Sequence, residues 1–453
     1  MDNSSASVSA ATPGDPTEPL GRFAAMTRAL RSRNYRLFFF GNFVSLIGNW
    51  MTTVAMGWLV YRLTGSELKL GLVGFAGQFP TFILSPVAGV LVDRWPLRRV
   101  LVITQSLAML QSFALAGLIF AGWATFEHVV WLALVQGFVN AVDIPARQAF
   151  VVQLLDDRRD LPNAIALNSS IVNGARLIGP SVAGFLIAFT GEAWCFFADG
   201  VSYVAVIISL LAMTVAMQPR REHAPVLQSL REGFAVSFGF APIRAILLLL
   251  ACVSLAGVPY TVLMPVFAKS VLHGDSSLYG LLTGASGAGA LCGGIYLATR
   301  KSVVGMGKML VIASATFGVA LIAFSFSRVP ALSLAIMPFI GFAMIVQMAG
   351  SNTLLQTLAE DHHRGRVMAM FTMCFMGTVP IGSLIAGTTS ERIGAPWTVF
   401  MGGCLCIVAA SVFAMMLPKL RPLIRPIYVK RGILPEIAIG MSEANVATNP
   451  ANR

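Results

Sequence analysis

The chain has 453 residues, 56% of them apolar and only 11% charged, with a net charge of +12. With glycine counted in and tyrosine left out, the apolar share is about 64%, against roughly 45–50% apolar and roughly 25% charged residues in soluble domains. A globule of this length cannot bury so much apolar surface in one core, so the excess faces lipid. A soluble enzyme, a disordered chain and a disulfide-stapled secreted scaffold are excluded.

The first twenty residues are rich in Ser, Thr, Ala and Pro and carry no Lys, Arg or apolar run. They read as disordered chain rather than a signal peptide, and with the Arg-rich stretch that follows they form an expected tail over 1–35. A membrane-crossing helix needs about 20 mostly apolar residues. Twelve runs qualify, at roughly 37–61, 71–92, 100–122, 128–148, 163–189, 194–217, 244–268, 277–299, 308–327, 331–353, 367–389 and 396–417. None alternates with period two, so these are helices and not barrel strands. The expected fold is an all-α membrane protein of twelve transmembrane helices in two pseudo-symmetric halves, 36–217 and 244–417. The halves are joined by a linker (218–243) carrying a surface helix over 227–240, and a tail (418–453) follows.

Basic residues set the orientation. With the N-terminus inside, 26 of the 32 Lys and Arg fall in the inner segments. Only Arg62, Lys69, Lys269, Arg328 and Arg392 fall outside, and Arg176 alone is within a span. Both termini are therefore expected in the cytoplasm, with the protein multi-pass in the plasma (inner) membrane.

The second half repeats the first. At an offset of 203 residues, Ile178–Gly184 lies over Ile381–Gly387, and Gln153, Gly191, Trp194 and Phe197 coincide with Gln356, Gly394, Trp397 and Phe400. Gly and Trp matching at one fixed offset argue for duplication, as in transporters whose halves are related by an axis along the membrane normal. Spans two, five, eight and eleven are each rich in glycine, which lets helices approach closely. Gly179, Pro180, Gly184, Gly382 and Gly387 are the expected packing residues between the halves.

Two motifs narrow the reading. Gly89-Val-Leu91-Val-Asp93-Arg94-Trp-Pro96-Leu97-Arg98-Arg99 resembles the signature between helices two and three of the major facilitator superfamily, with Val92, Pro96 and Leu97 as departures. Gly179-Pro180-x-x-Ala183-Gly184 resembles that superfamily's exporter motif. Asp143-x-Pro145-x-Arg147-Gln148, Asn163-Ala-x-Ala-Leu167-Asn168, Arg176-x-x-Gly179-Pro180 and Arg425-Pro-x-Tyr428 are similar to the branch of enterobactin-type siderophore exporters and macrolide efflux pumps, the transmembrane secretion effectors. The resemblance covers about 36–420. It implies efflux of small amphipathic molecules, usually by proton antiport. The span-four Arg of other drug/proton antiporters would fall at Ala133 and is absent.

Charges within the hydrocarbon are costly and usually functional. Only Asp143 and Asp199 lie well inside spans, and these are the proton-coupling candidates. Asp143 has two open readings, a proton carrier or the partner of Arg147 at the favourable i,i+4 spacing. Asp199 has no basic residue within four positions, which suits reversible protonation and ranks it first. Arg176 either attracts an anionic substrate or stabilises backbone carbonyls. Gly89, Asp93, Arg94, Arg98, Arg99 and Arg147 form either topology anchors or a cytoplasmic latch that holds one access state. Asn42, Asn49, Gln136, Asn140, Asn168, Asn173 and Gln347 are candidates to line a substrate cavity, with Phe79, Met264, Met344 and Met348 as adaptable apolar walls.

The six cysteines sit in apolar runs without a CxxC and read as packing residues. His362-His363 has no evident third ligand nearby and reads as a solvated loop, so no metal is expected. There is no HExxH, GxSxG or Walker A sequence, hence no expected enzymatic activity, cofactor or direct ATP drive. The expected partners are a small-molecule substrate, a proton and the bilayer, with no nucleic acid, and the protein is expected to be a monomer. An importer, a lipid flippase or a transporter-like sensor on the same scaffold is the alternative.

Overall fold

The computed structural model describes residues 27–92, 95–214, 226–300 and 302–434. Most of the expected N-terminal tail, Asp93 and Arg94 of the latch, part of the linker and the end of the C-terminal tail lie outside these residues. The surroundings of Gly89 also lie outside them.

Eleven helices among the described residues are long and apolar enough to cross a membrane. They are α1 Arg33–Thr64, α3 Leu97–Phe120, α4 Phe126–Gln153, α5 Leu161–Thr190, α6 Ala193–Ala212, α7 Ala241–Val271, α8 Ser276–Thr299, α9 Met306–Phe326, α10 Pro330–Leu358, α11 Arg364–Ile393 and α12 Ala395–Lys430. The 26-residue helix α2, Glu67–Val92, stands between α1 and α3. At helix rise it is about 39 Å long, enough to cross the roughly 30 Å hydrocarbon layer. No strand occurs among the described residues. The linker helix, Val226–Gly239, packs on the start of α11, where Arg366 pairs with Glu232.

Two helices are interrupted where the sequence supplies breakers. In α7, helix Ala241–Ala256 stops at Gly257 and resumes at Tyr260 after Pro259, then ends in a π-turn, Phe267–Val271. In α11, Gly377 separates Arg364–Met376 from Thr378–Ile393. By contrast, α12 does not end near 417 as expected. It runs to Lys430 through Pro418, Pro422 and Pro426. The added turns carry Lys419, Arg421, Arg425 and Lys430, long cations suited to the headgroup layer.

The first and last of the described residues lie on one face, called here the terminal face. Arg28 pairs with Asp160 before α5, Asn34 donates to the Thr214 carbonyl after α6 (2.9 Å), and Arg431 donates to the Ala359 carbonyl after α10 (2.6 Å).

The repeat has a structural counterpart. Gly191 and Gly394 end α5 and α11 with φ of 88° and 86°, a region that glycine enters without penalty. In the first half Trp194 and Phe197 lie edge to face at 5.6 Å with Phe120 beside them; Trp397, Phe400 and Phe326 form the matching cluster in the second.

The halves meet at glycine pairs of the same design. A Cβ on Gly184 of α5 would stand 2.8 Å from the Gly280 Cα of α8, and one on Gly387 of α11 would stand 2.9 Å from the Gly71 Cα of α2. Both contacts lie toward the face opposite the termini. Pro180 joins the first through its carbonyl, which a Cβ on Gly280 would meet at 2.5 Å. Gly179 and Gly382 correct the sequence reading. Gly179 packs on Trp50 and Ile47 of α1, and Gly382 on Leu255 and Pro259 of α7, each within its own half. Five residues of helix are about 500°, so Gly179 faces about 140° away from Gly184 and meets a different neighbour.

Candidate functional site

The described residues line a half-open cavity of about 280 Å³ between the midplane and the face opposite the termini. Its walls come from α1 (Asn49, Thr52, Thr53, Met56), α2 (Gly74, Gln78), α3 (Gln111), α4 (Gln136, Asn140) and α6 (Asp199, Tyr203). Thr261 and Val262 of α7 and Tyr279 of α8 contribute to the wall from the second half. The lining mixes amides, hydroxyls and aromatic rings with apolar groups, as a site for small amphipathic molecules requires.

Asp199 is the only carboxylate in this wall and is 2% exposed. It lies six residues into α6, about 9 Å along the axis. Its Oδ2 accepts a 2.8 Å hydrogen bond from the Ser112 hydroxyl. Its Oδ1 has no hydrogen-bond partner among the described residues, because Ser202 donates to the Asp199 backbone carbonyl instead (2.7 Å). Gly48 of α1 makes room for this arrangement: a Cβ there would lie 2.5 Å from Oδ1 and 2.9 Å from the Ser202 hydroxyl. A buried carboxylate oxygen with no donor is costly when charged, and a proton satisfies it.

Asp143 is placed very differently. Its Oδ1 accepts from Thr104 Oγ1 and Gln105 Nε2, both at 2.7 Å, and its Oδ2 from Arg147 Nε and Nη2 at 3.1 and 2.8 Å. Arg147 also donates to Asn42, which reaches Asn168 at 3.5 Å. This network ties α1, α3, α4 and α5 together inside one half. Of the two readings left open for Asp143, the geometry is that of the ion pair.

The other anticipated residues divide between the cavity and the packing. Asn49, Gln136 and Asn140 line the cavity, with Gln136 donating to Asn140 (3.1 Å). Asn42 and Asn168 are corrections, since they belong to the Arg147 network. Asn173 is another: its amide donates to the Ser169 carbonyl one turn back (2.9 Å). Gln347 is buried on α10 and lies outside the cavity. Arg176 is also outside its lining; its guanidinium sits 5.1 Å over the Trp50 ring, with Nε and Nη1 buried and without hydrogen-bond partners among the described residues. Of the expected apolar walls, Phe79 stacks on Phe75 (4.5 Å) and Met264 is buried in α7, while Met56 serves instead.

Within the latch motif, Arg98 is a staple. Its guanidinium donates to the Leu210 and Leu211 carbonyls at the end of α6 (2.7 and 2.6 Å). Arg99 is exposed, and Arg147 is taken up by Asp143 and Asn42. Near the terminal face, Glu360 supplies the third donor that His362-His363 had lacked, the three ligand atoms lying within 4.8 Å of one another. Arg364 and Arg431 flank this exposed loop through Asp361, and the N-terminus of α11 begins at Arg364, so the local field opposes a cation.

A sequence model of the transmembrane secretion effectors matches residues 24–425. The chain belongs to that family. It is a branch of the major facilitator superfamily, and the protein is accordingly a multi-pass membrane transporter rather than an enzyme. The staphyloferrin A transporter of Staphylococcus aureus is 26% identical over 387 residues, covering 85% of this chain and 97% of that one. The multidrug efflux pump Tap of Mycolicibacterium fortuitum is 24% identical over 83% of this chain and 93% of its own. The enterobactin exporter EntS of Citrobacter koseri is 22% identical over 86% and 94%. Among solved structures, a bacterial homologue of the iron transporter ferroportin in an inward-facing state superposes with a TM-score of 0.65 at 18% identity, covering 84% of this chain and 98% of that one. A bacterial homologue of the lysosomal transporter Spinster, inward-facing and unoccupied, gives 0.65 at 15% identity over 84% and 96%. These two likenesses concern the fold.

Proposed function

We propose that this secretion effector exports small amphipathic molecules from the cytoplasm in exchange for protons, by alternating access, with both termini cytoplasmic in the inner membrane. The observation that carries this reading is the cavity wall containing one carboxylate, Asp199, with one oxygen unsatisfied. In the outward-open state the carboxyl takes a proton from outside. Protonation removes the cost of burying its charge and favours closure around the empty site. In the inward-open state a substrate from the cytoplasm enters beside Asp199, and the proton leaves to the cytoplasm. The exporter-like motif in α5 and the efflux-pump relatives support the direction. The basic segments at the terminal face support the orientation.

Asp93, with the basic residues after it, is proposed as a cytoplasmic latch that holds one access state. Asp93→Asn keeps the shape and removes the charge, and is expected to slow cycling while leaving insertion intact. A wild-type rate in that variant removes the latch.

The deciding experiment is transport in proteoliposomes with an imposed pH gradient, using ethidium, a macrolide, staphyloferrin A and enterobactin as probes. Gradient-dependent movement of at least one probe away from the face bearing the termini is expected. Movement that ignores the pH gradient, or runs only in the opposite direction, overturns the proton-driven exporter.

A further inference from the structure

The first turn of α2 is capped from the other half of the protein. Glu391, near the end of α11, accepts through Oε2 from the Glu67 backbone N–H (2.8 Å), the Leu68 backbone N–H (3.0 Å) and the Ser66 hydroxyl (3.1 Å). Ser390 beside it donates to the Glu67 carboxylate. The first N–H groups of a helix have no partner within the helix, and a carboxylate placed there also meets the positive end of the helix dipole. This contact lies one turn beyond the Gly71–Gly387 pair, at the outer margin of the seam between the halves.

The pseudo-equivalent seam is built otherwise. There the first turn of α8 is capped by its own residue, Asp275, whose Oδ1 accepts from the Ser277 and Leu278 N–H groups at 3.0 and 3.2 Å. The offset that puts Gly280 over Gly71 puts Asp275 over Ser66, and the offset that puts Gly387 over Gly184 puts Glu391 over Ala188. The cap of α8 is thus local to its own chain segment. At α2 the local Ser66 hydroxyl accepts only from the Lys69 N–H (3.3 Å), and the Glu67 and Leu68 N–H groups are capped only while α11 touches α2.

We propose that Glu391 is a gate residue that biases the transporter toward the state closed at the face opposite the termini, by capping α2 across the seam. The inference rests on the alternating-access reading above. Opening at that face parts α2 from α11, uncovers the Glu67 and Leu68 N–H groups and returns Glu391 to water. Because the halves rock as units, the same opening parts α5 from α8, far from Glu391.

The test is amide hydrogen exchange of the purified full chain in lipid nanodiscs, read by mass spectrometry, for wild type, Glu391→Ala, Glu391→Gln and Asp275→Ala. Exchange through an opening equilibrium reports the population of the open state. Glu391→Ala is expected to speed exchange about tenfold, the equivalent of about 1.4 kcal/mol, both at 66–69 in α2 and at 276–280 in α8. Glu391→Gln retains a neutral acceptor and is expected to shift both segments in the same direction by about threefold. Asp275→Ala is expected to speed exchange at 276–280 alone. Acceleration by the Glu391 variants confined to 66–69 overturns the proposal, since Glu391 is then a local cap. Unchanged exchange in both variants also overturns it. No substrate enters the measurement, so its failure is distinct from failure of the transport assay.

Discussion

Asp199 of α6 and Ser112 of α3 share one hydrogen bond of 2.8 Å, and it is the only side-chain donor that the carboxylate has among the described residues. One donor for two buried oxygens is too few for a comfortable anion and fits a group that alternates between charged and neutral forms. The contrast with Asp143, which has four donor atoms, is what separates the proposed carrier from a structural acid in this helical half.

Asp199→Asn is expected to abolish pH-gradient-driven efflux and to leave substrate counterflow intact, because the amide preserves the shape of the wall and cannot carry the proton. Both are measured in the same proteoliposomes. Counterflow lost together with efflux would make Asp199 a substrate or packing residue instead, and efflux retained would move the coupling elsewhere.

Gly48→Ser is expected to reduce transport strongly, because its Cβ enters the space 2.5 Å from Asp199 Oδ1 and its hydroxyl supplies the donor that the carboxylate lacks. A new donor stabilises the charged form. Efflux should then fall while substrate binding, measured by tryptophan quenching, persists. Wild-type efflux in this variant would count against Asp199 as the carrier.

Arg147→Ala is expected to destabilise the protein by about 3–5 kcal/mol, the usual cost of stripping a buried acid of its ionic partner. Asp143→Asn, which also breaks the pair but leaves no buried anion, should cost less and retain gradient-driven efflux. Thermal unfolding in detergent and the efflux assay separate the two. If Asp143→Asn selectively loses gradient-driven efflux, the proton passes through Asp143.

The sequence made some of this legible and not the rest, for physical reasons. The halves could be read because Gly191, Trp194 and Phe197 recur at one offset, and a left-handed cap and an aromatic corner are met by few residue types. That Asp199 is a buried acid within a span could be read because it is a lone acid in an apolar helix; its role is a proposal. The cavity could not. Thr52, Thr53, Gln111, Tyr203 and Tyr279 lie in helices that are apolar all round, and no periodicity tells an inward-facing polar group from one that bonds the next helix. Asn42 and Asn49, one span and two helical turns apart, went to a network and a cavity respectively. Glu391 left no signal at all, since an acid at a span end is the usual case.

Gly184→Leu and Gly179→Leu should differ in kind. At Gly184 the added side chain meets the Ser276 carbonyl at 2.6 Å and the Gly280 Cα at 2.8 Å, both in the opposite half. The two halves are joined at this face by such contacts, so the cheapest relief is to part them, and the fold within each half survives. At Gly179 the new side chain meets Trp50 and the Ile47 carbonyl of α1, in the same half, at 2.6 and 2.9 Å. No rocking motion relieves that clash, and overpacking of this sort costs about 1–3 kcal/mol or more. Gly184→Leu, and by the repeat Gly387→Leu, should therefore keep near-normal thermal stability while biasing the transporter toward the state open at this face. That bias is read as faster hydrogen exchange at 276–280 and a block in efflux. Gly179→Leu and Gly382→Leu should lower the unfolding temperature instead. If all four variants lose stability alike, the glycine pairs are ordinary core contacts and not the surface on which the halves part.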